Sequence, residues 1–495
     1  MSDAQKKSQA APTEQVLEKS VLDQIVEEGR FAKDVAGRER GKNLVAEFVS
    51  QILDGAMTVS KDAEAMINAR IAQIDHLLSI QLNEILHHEQ FQKLEGSWRG
   101  LKYLMDQSET SANLKIKVLN ASKKELLRDL QRAPEFDQSA LFKKVYEEEF
   151  GIFGGSPFAG IVGDYEFGRG PEDIELLEKI SNVAAAAHAP FLSAASPEMF
   201  NLDSFAQLDA PRDMGKIFDT TEYAKWKSFR ASEDSRYVAL TCPRILMRLP
   251  YGKETKQVEG FGFEEHVGGT DHGKYLWGNA AYALASRMTK AFALYGWCAA
   301  IRGVEGGGLV EGLPVHNFNT DSGDVAMKCP TESPITDRRE KELADQGFAP
   351  LVHCKDTDYA AFFSVQSCNK PKLYDSDAAN SNARLASQLP YIMAVCRFAH
   401  YLKAMMRDKI GSFTSRTECE RWLNKWITNY VTPDDSASAA AKAQCPLRDA
   451  RIEVMEIPGK AGAYRAVAFL RPHFQLDELT VSLRLVAELP VSARK

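Results

Sequence analysis

Hydrophobic spacing changes period several times along the chain, and the changes divide it. Leu17, Val21, Leu22, Ile25 and Val26 fall on one side of a helical repeat, with acidic residues opposite. Gly29 and the charged run "AGRERGKN" end this stripe. The preceding thirteen residues are small and polar and predict a disordered start. A helical period returns over 42–107, where Ile67, Ile71, Ile74, Leu77, Leu78, Leu82, Ile85 and Leu86 form a second apolar stripe. The stretch "LKIKVLN" (114–120) alternates apolar and polar, which predicts a half-buried strand. Ser122 and Glu125 then make a capping-box pair opening the helix "KKELLRDLQR".

Strand and helix patterns alternate from there. "FAGIVGDY" (158–165) predicts a buried strand, a helix follows with Pro171 in its first turn, and "PFLSAAS" predicts the next strand. A strand–helix–strand order implies a parallel pair. Further on, "YVALTCPRILMRLPY" is strand-rich, 279–301 is helical and 302–318 is a loop. Residues 380–408 have helical spacing. A second helix is bounded by Thr414 or Ser415 and Pro433, and a linker runs over 433–446. The end predicts three strands near 450–457, 464–471 and 479–488, with "PGKAGA" as a hairpin turn. Such a small terminal sheet has edges that need a partner. The fold class is α/β, of mixed α+β character. The expected divisions are an N-terminal arm (1–40), a helical region (41–110), an α/β core (111–410) and a C-terminal helix with three linking strands (411–495).

Composition narrows the function. The 495 residues are 44% hydrophobic and 26% charged, the balance of a folded chain with a sizeable core. Lys and Arg number 61 against 68 acidic residues, a net charge of −7 with no long basic run, which argues against nucleic acid. The start "MSDAQKKSQAAPTEQ" has no apolar signal segment. The most apolar window, 279–301, is interrupted by Arg287 and Lys290 and reads as a buried helix, so membrane insertion is not expected. Eight cysteines without a C-x-x-C pair read as reduced thiols, and the expected location is cytoplasmic.

Candidate chemistry is thin. The glycine-dense stretch "FGIFGGSPFAGIVGDYEFG" (150–168) has Gly155 and Gly160 at phosphate-loop spacing, but Ile161 and Val162 stand where Lys and Ser/Thr are required. Its glycines read instead as packing devices in a turn before a strand. Gly306 and Gly308 lead to Glu311, which breaks the dinucleotide fingerprint. His87, His88 and Glu89 point to different sides of a helix and do not converge on a metal. The loop holding Glu264, Glu265, His266, Asp271 and His272 is the most enzyme-like cluster. It sustains an alternative reading as an α/β enzyme or metal-binding protein; the plainer reading is a loop between folded elements. Trp422 and Trp426 share a helix face, which suits core packing or an interaction face. No catalytic residue, cofactor site or metal site is assigned.

Five blocks then carry a resemblance: "IDHLLSIQLNEILHHEQFQKLEGSWRGLKYL" (74–104), "EEFGIFGGSPFAGIVGDYEF" (148–167), "YAKWKSFRASEDSRYVALTCPRILMRLPY" (223–251), "YLWGNAAYALASRM" (275–288) and "YRAVAFLRPHFQLDELTVSLRLVAELP" (464–490). The chain resembles the large subunit of the contractile sheath of bacterial type VI secretion systems, a relative of phage tail sheath proteins. The resemblance implies a structural, non-enzymatic, multi-domain subunit without a cofactor. It implies pairing with a small sheath subunit and helical polymerisation with further copies around an inner tube protein. A baseplate at one end, contraction that drives tube and effectors into target cells, and recycling by an AAA+ unfoldase belong to the same picture. In its terms Leu22, Ile25 and Val26 would be the segment the unfoldase grips. Tyr464, Val467, Phe469, Leu479, Val481 and Leu483 would link subunits through shared strands, in keeping with their alternation. Arg416, Arg421 and Lys425 are suggested to face the tube.

Overall fold

The computed structural model describes residues 35–53 and 63–473, apart from 270, 321, 410–411, 413–414, 435 and 459–463. The chain divides into two compact units, one of residues through Ile80 with Gly260–Phe263, the other of the remainder.

The helical period of 42–107 resolves into three helices, α1 (Val35–Leu53), α2 (Ala63–Leu86) and α3 (Glu89–Asp106). The imidazole of His88 caps α3 by accepting from the Gln90 amide. The strand expected at 114–120 does not form. Ile116 packs beside Leu104 and Tyr282, yet Val118 and Leu119 stay exposed. Alternation alone makes no strand where no neighbouring edge offers a ladder. The capping box is present: Ser122 Oγ accepts from the Glu125 amide at 3.3 Å and Glu125 accepts from the Ser122 amide at 2.7 Å, opening α4 (Lys123–Arg132).

The second unit is built on a six-stranded sheet. β1 (Ile161–Phe167), α5 (Pro171–Ala187) and β2 (Phe191–Ala195) form the expected parallel unit. α6 (Ala224–Ala231) leads to β3 (Val238–Cys242), and β4 (Ile245–Leu246) pairs with β5 (Trp277–Gly278). α7 (Ala281–Tyr295) ends six residues before the predicted boundary at 301, because Gly296 takes φ +76° and closes the helix as a left-handed cap. The predicted loop 302–318 contains β6 (Leu309–Val310) and the start of β7 (His316–Asn319), which pairs with β8 (Val325–Lys328). Sequence periodicity missed α8 (Asp337–Asp345), β9 (Phe348–His353) and β10 (Ala360–Phe362). The sheet order is β1-β2-β3-β9-β10-β6, parallel through β9 and antiparallel beyond it.

Period-2 alternation sorts side chains to two cores. Phe191, Val238 and Leu240 join the α5 side with Trp226 and Phe348. Leu192, Ala239 and Ala349 join the α7 side with Leu284 and Leu389. The predicted 380–408 helix breaks at Ala386–Gln388 into α9 (Asp377–Leu385) and α10 (Leu389–Asp408), with Pro390 in the first turn of α10. α11 (Arg416–Ile427) follows, and α12 (Ala439–Gln444) occupies what was expected to be linker. β11 (Leu447–Glu456) and β12 (Tyr464–Pro472) are the first two of the three predicted terminal strands, and the third lies outside the described residues. Among the described residues no helix is long and apolar enough to cross a membrane.

Candidate functional site

Ser415 caps α11 through its hydroxyl, which accepts from the Glu418 amide at 3.2 Å. Cys419, Leu423 and Ile427, four residues apart, then bury one side of the helix against Leu447, Ile452 and Val454 of β11. Trp422 and Trp426 are half-buried at the border of the same cluster, and Trp426 packs edge-on against Tyr430 at 5.2 Å. Arg416, Arg421 and Lys425 are all exposed on the remaining surface of α11.

β11 and β12 pair antiparallel from Glu456↔Tyr464 to Leu447↔Pro472, with an irregularity between Leu447 and Asp449. Tyr464, Ala468 and Leu470 border the core under α11. Phe469 is exposed, with the Arg451 guanidinium 5.2 Å from its ring centroid, and Val467 is half-buried. Leu479, Val481 and Leu483, and likewise Leu22, Ile25 and Val26, lie outside the described residues.

Bare apolar surface lies on α2 and α3, where sequence reasoning assigned no site. On α2, Ile67, Ile71, Ile74, Leu77 and Leu78 are exposed, so the stripe read from the sequence is present but uncovered. On α3 the buried side is Gly96, Gly100 and Leu104. Phe91, Leu94, Trp98 and Met105 share the opposite side and are exposed, Trp98 at 65%. The signal was in the sequence, in a helix apolar on two sides.

The 264–272 loop is fastened rather than poised. Glu265 accepts two bonds from Arg248, at 2.6 and 3.1 Å, one from the Tyr251 amide at 2.9 Å, and has His87 Nε2 at 3.2 Å. Arg248 also donates to Glu95 at 2.7 Å, and Glu95 accepts from Arg99 at 2.7 Å. Burial pushes the Glu95 carboxyl up, but Arg248 and Arg99 outweigh it and hold it below the usual range. His272 turns away to Glu332, at 3.1 Å. Among the described residues no group of His, Cys, Asp and Glu is placed to hold a metal. All eight cysteines are free; four are buried and Cys354 is exposed.

The glycine-dense stretch packs against α10. A Cβ at Gly163 would overlap the Phe191 ring, so β1 needs glycine to sit beside β2. Before it, Phe150, Phe153, His400, Lys403 and Arg407 line a cavity of about 300 Å³. Its cations are already used. Lys403 Nζ lies 3.7 Å from the Phe150 ring centroid and 3.0 Å from Tyr146 Oη, and Arg407 donates to the carbonyls of Phe150 at 3.1 Å and Gly151 at 3.3 Å.

Comparison with known proteins gives this geometry a family. The family described as EvpB/VC_A0108 tail sheath matches through its N-terminal domain over residues 68–369 and its gpW/gp25-like domain over 378–489. The chain is 52% identical over 461 residues to a Pseudomonas aeruginosa protein named type VI secretion system sheath protein TssC1, covering 92% of this chain and 93% of that one. Among solved structures, a chain of the anti-feeding prophage baseplate aligns with TM-score 0.34 at 9% identity, over 63% of this chain and 66% of its own length. The chain belongs to the EvpB/VC_A0108 tail sheath family and is a structural sheath subunit, not an enzyme.

Proposed function

We propose that the chain is the large subunit of a cytoplasmic contractile sheath. It pairs with a small sheath subunit, stacks helically with further pairs around an inner tube, docks on a baseplate, and is recycled by an AAA+ unfoldase after contraction. The observation that carries this reading is the uncovered side of α3. Contiguous apolar surface of this kind marks a protein–protein contact rather than a solvated face. We infer that 1–40 is the arm gripped by the unfoldase, through Leu22, Ile25 and Val26. Residues 41–110 are the helical region, 111–410 the sheath core and 411–495 the linking domain. Arg416, Arg421 and Lys425 face the tube. Linkage runs through β12, whose Tyr464, Val467 and Phe469 lie beside an edge that accepts residues 479–488 of a neighbouring copy, with Leu479, Val481 and Leu483 facing its apolar side. The alternation of that segment suits the two-faced, nine-residue β12. Contraction needs no nucleotide when the two assembled packings differ in free energy.

Negative-stain microscopy of the chain co-expressed with its small partner tests this. Tubules are expected from the parent pair. Replacing Leu94 and Trp98 together by Asp should leave a folded chain that forms none. Tubules of normal yield from that variant would refute the role given to α3.

A further inference from the structure

The two edges of the β11–β12 hairpin are not equivalent. Along the outer edge of β11, side chains of α11 take up the backbone groups that a neighbouring strand would use. Asn424 behaves as a substitute peptide: its Nδ2 donates to the Ile452 carbonyl at 2.7 Å, and its Oδ1 accepts from the Ile452 amide at 2.9 Å. Glu420, one helical turn earlier, accepts from the Val454 amide at 3.1 Å. The Thr432 amide closes the start of the same edge by donating to the Leu447 carbonyl at 2.9 Å. The spacing is suited to the task. Four residues of helix rise about 6 Å, and two residues of strand span about 6.8 Å, so Glu420 and Asn424 fall in step with Val454 and Ile452. Asn424 is itself held, since its Nδ2 also donates to the Glu420 carbonyl at 2.9 Å.

The edge of β12 is different. Ile452 and Val454 direct their backbone groups away from β12, and antiparallel register carries that parity to their partners, Ala468 and Ala466. Among the described residues, nothing accepts from or donates to the outward backbone groups of Ala466, Ala468 and Leu470. Among the described residues, the β11 edge is occupied at Leu447, Ile452 and Val454, whereas the β12 edge is occupied at none of Ala466, Ala468 and Leu470.

We propose that Asn424 and Glu420 are edge guards, which close β11 to strand addition and confine the incoming strand of a second copy to β12. This rests on the strand-linkage reading above and adds to it the residues that choose the edge. A carboxylate on an edge also repels the carbonyls of an approaching strand, a recognised defence against wrong pairing.

Photo-cross-linking in the full-length chain, co-purified with its small partner, tests the proposal. A benzoylphenylalanine replaces Val467 on β12 or Glu453 on β11, and isotopically mixed chains separate links between copies from links within one. In the parent background Val467 is expected to link to residues 479–488 of another copy, and Glu453 to give background only. In Asn424→Ala/Glu420→Ala, Glu453 should gain links to that segment by at least tenfold. The isosteric pair Asn424→Asp/Glu420→Gln, which preserves side-chain volume, should show the same gain in smaller degree. A merely structural role would produce no new link. If Glu453 stays at background in both variants while Val467 links persist, the guard assignment is overturned and the linkage stands. If Val467 does not link to 479–488 of another copy even in the parent, the linkage itself falls.

Discussion

His400 on α10 is 2% exposed, with Nε2 2.9 Å from the Ala187 carbonyl and its ring edge-on to Phe150 at 5.0 Å. Burial pushes its pKa from 6.5 down to about 4; the Ala187 carbonyl opposes this, and Arg397, His188 and Lys403 add to it. The folded chain holds the imidazole neutral, while the unfolded chain protonates near 6.5. Stability from this group is therefore present above pH 6.5 and lost as pH falls toward 4, by about 3 kcal/mol at about 1.4 kcal/mol per pH unit. Denaturant unfolding at pH 7 and pH 5 checks this: His400→Gln should shrink the loss between them by about 2 kcal/mol, and an unchanged loss would count against it. Gly163 shows what is legible at this scale. The missing Lys ruled out a phosphate cradle from the sequence alone, but that the Phe191 ring occupies the Cβ position depends on a partner 28 residues away.

Between elements, the buried Glu95–Arg248–Glu265 group joins α3 to the segment after β4 and to the 264–272 loop. Removing one member leaves a buried charge without its counter-ion, which costs about 3–5 kcal/mol. Arg248→Met is expected to lose that much in thermal or denaturant unfolding, and Arg248→Met combined with Glu265→Gln and Glu95→Gln to recover part of it. Equal or greater loss in the triple variant would contradict the pairing. The sequence presented Glu264, Glu265 and His266 as neighbours, hence the metal alternative. It could not present Glu95 and His87, which come from about 170 residues earlier and convert the cluster into a fastening. Local signals fared better. The Ser122–Glu125 box, Pro171 and Ser415 were readable because a cap and the amides it satisfies lie within one turn.

Across the molecule, the parallel β1–β2 unit was legible from its strand–helix–strand order, and the C-terminal hairpin from alternation within one stretch. β9 and β10 were not, being short runs whose place in the sheet is settled by distant strands. The sealed and open edges of the hairpin were wholly hidden, since they depend on side chains of α11 meeting β11. The assembly-level prediction concerns Arg416, Arg421 and Lys425. Changing all three to Glu should release the inner tube from co-purified sheaths while tubule yield stays normal, and full retention of the tube would refute a tube-facing α11. A hairpin closed on one side has a valence of one. Under the linkage proposed above, each copy would receive a single strand there without branching, links of this kind would run as separate threads, and tension applied at one end of a thread would pass through every copy in series.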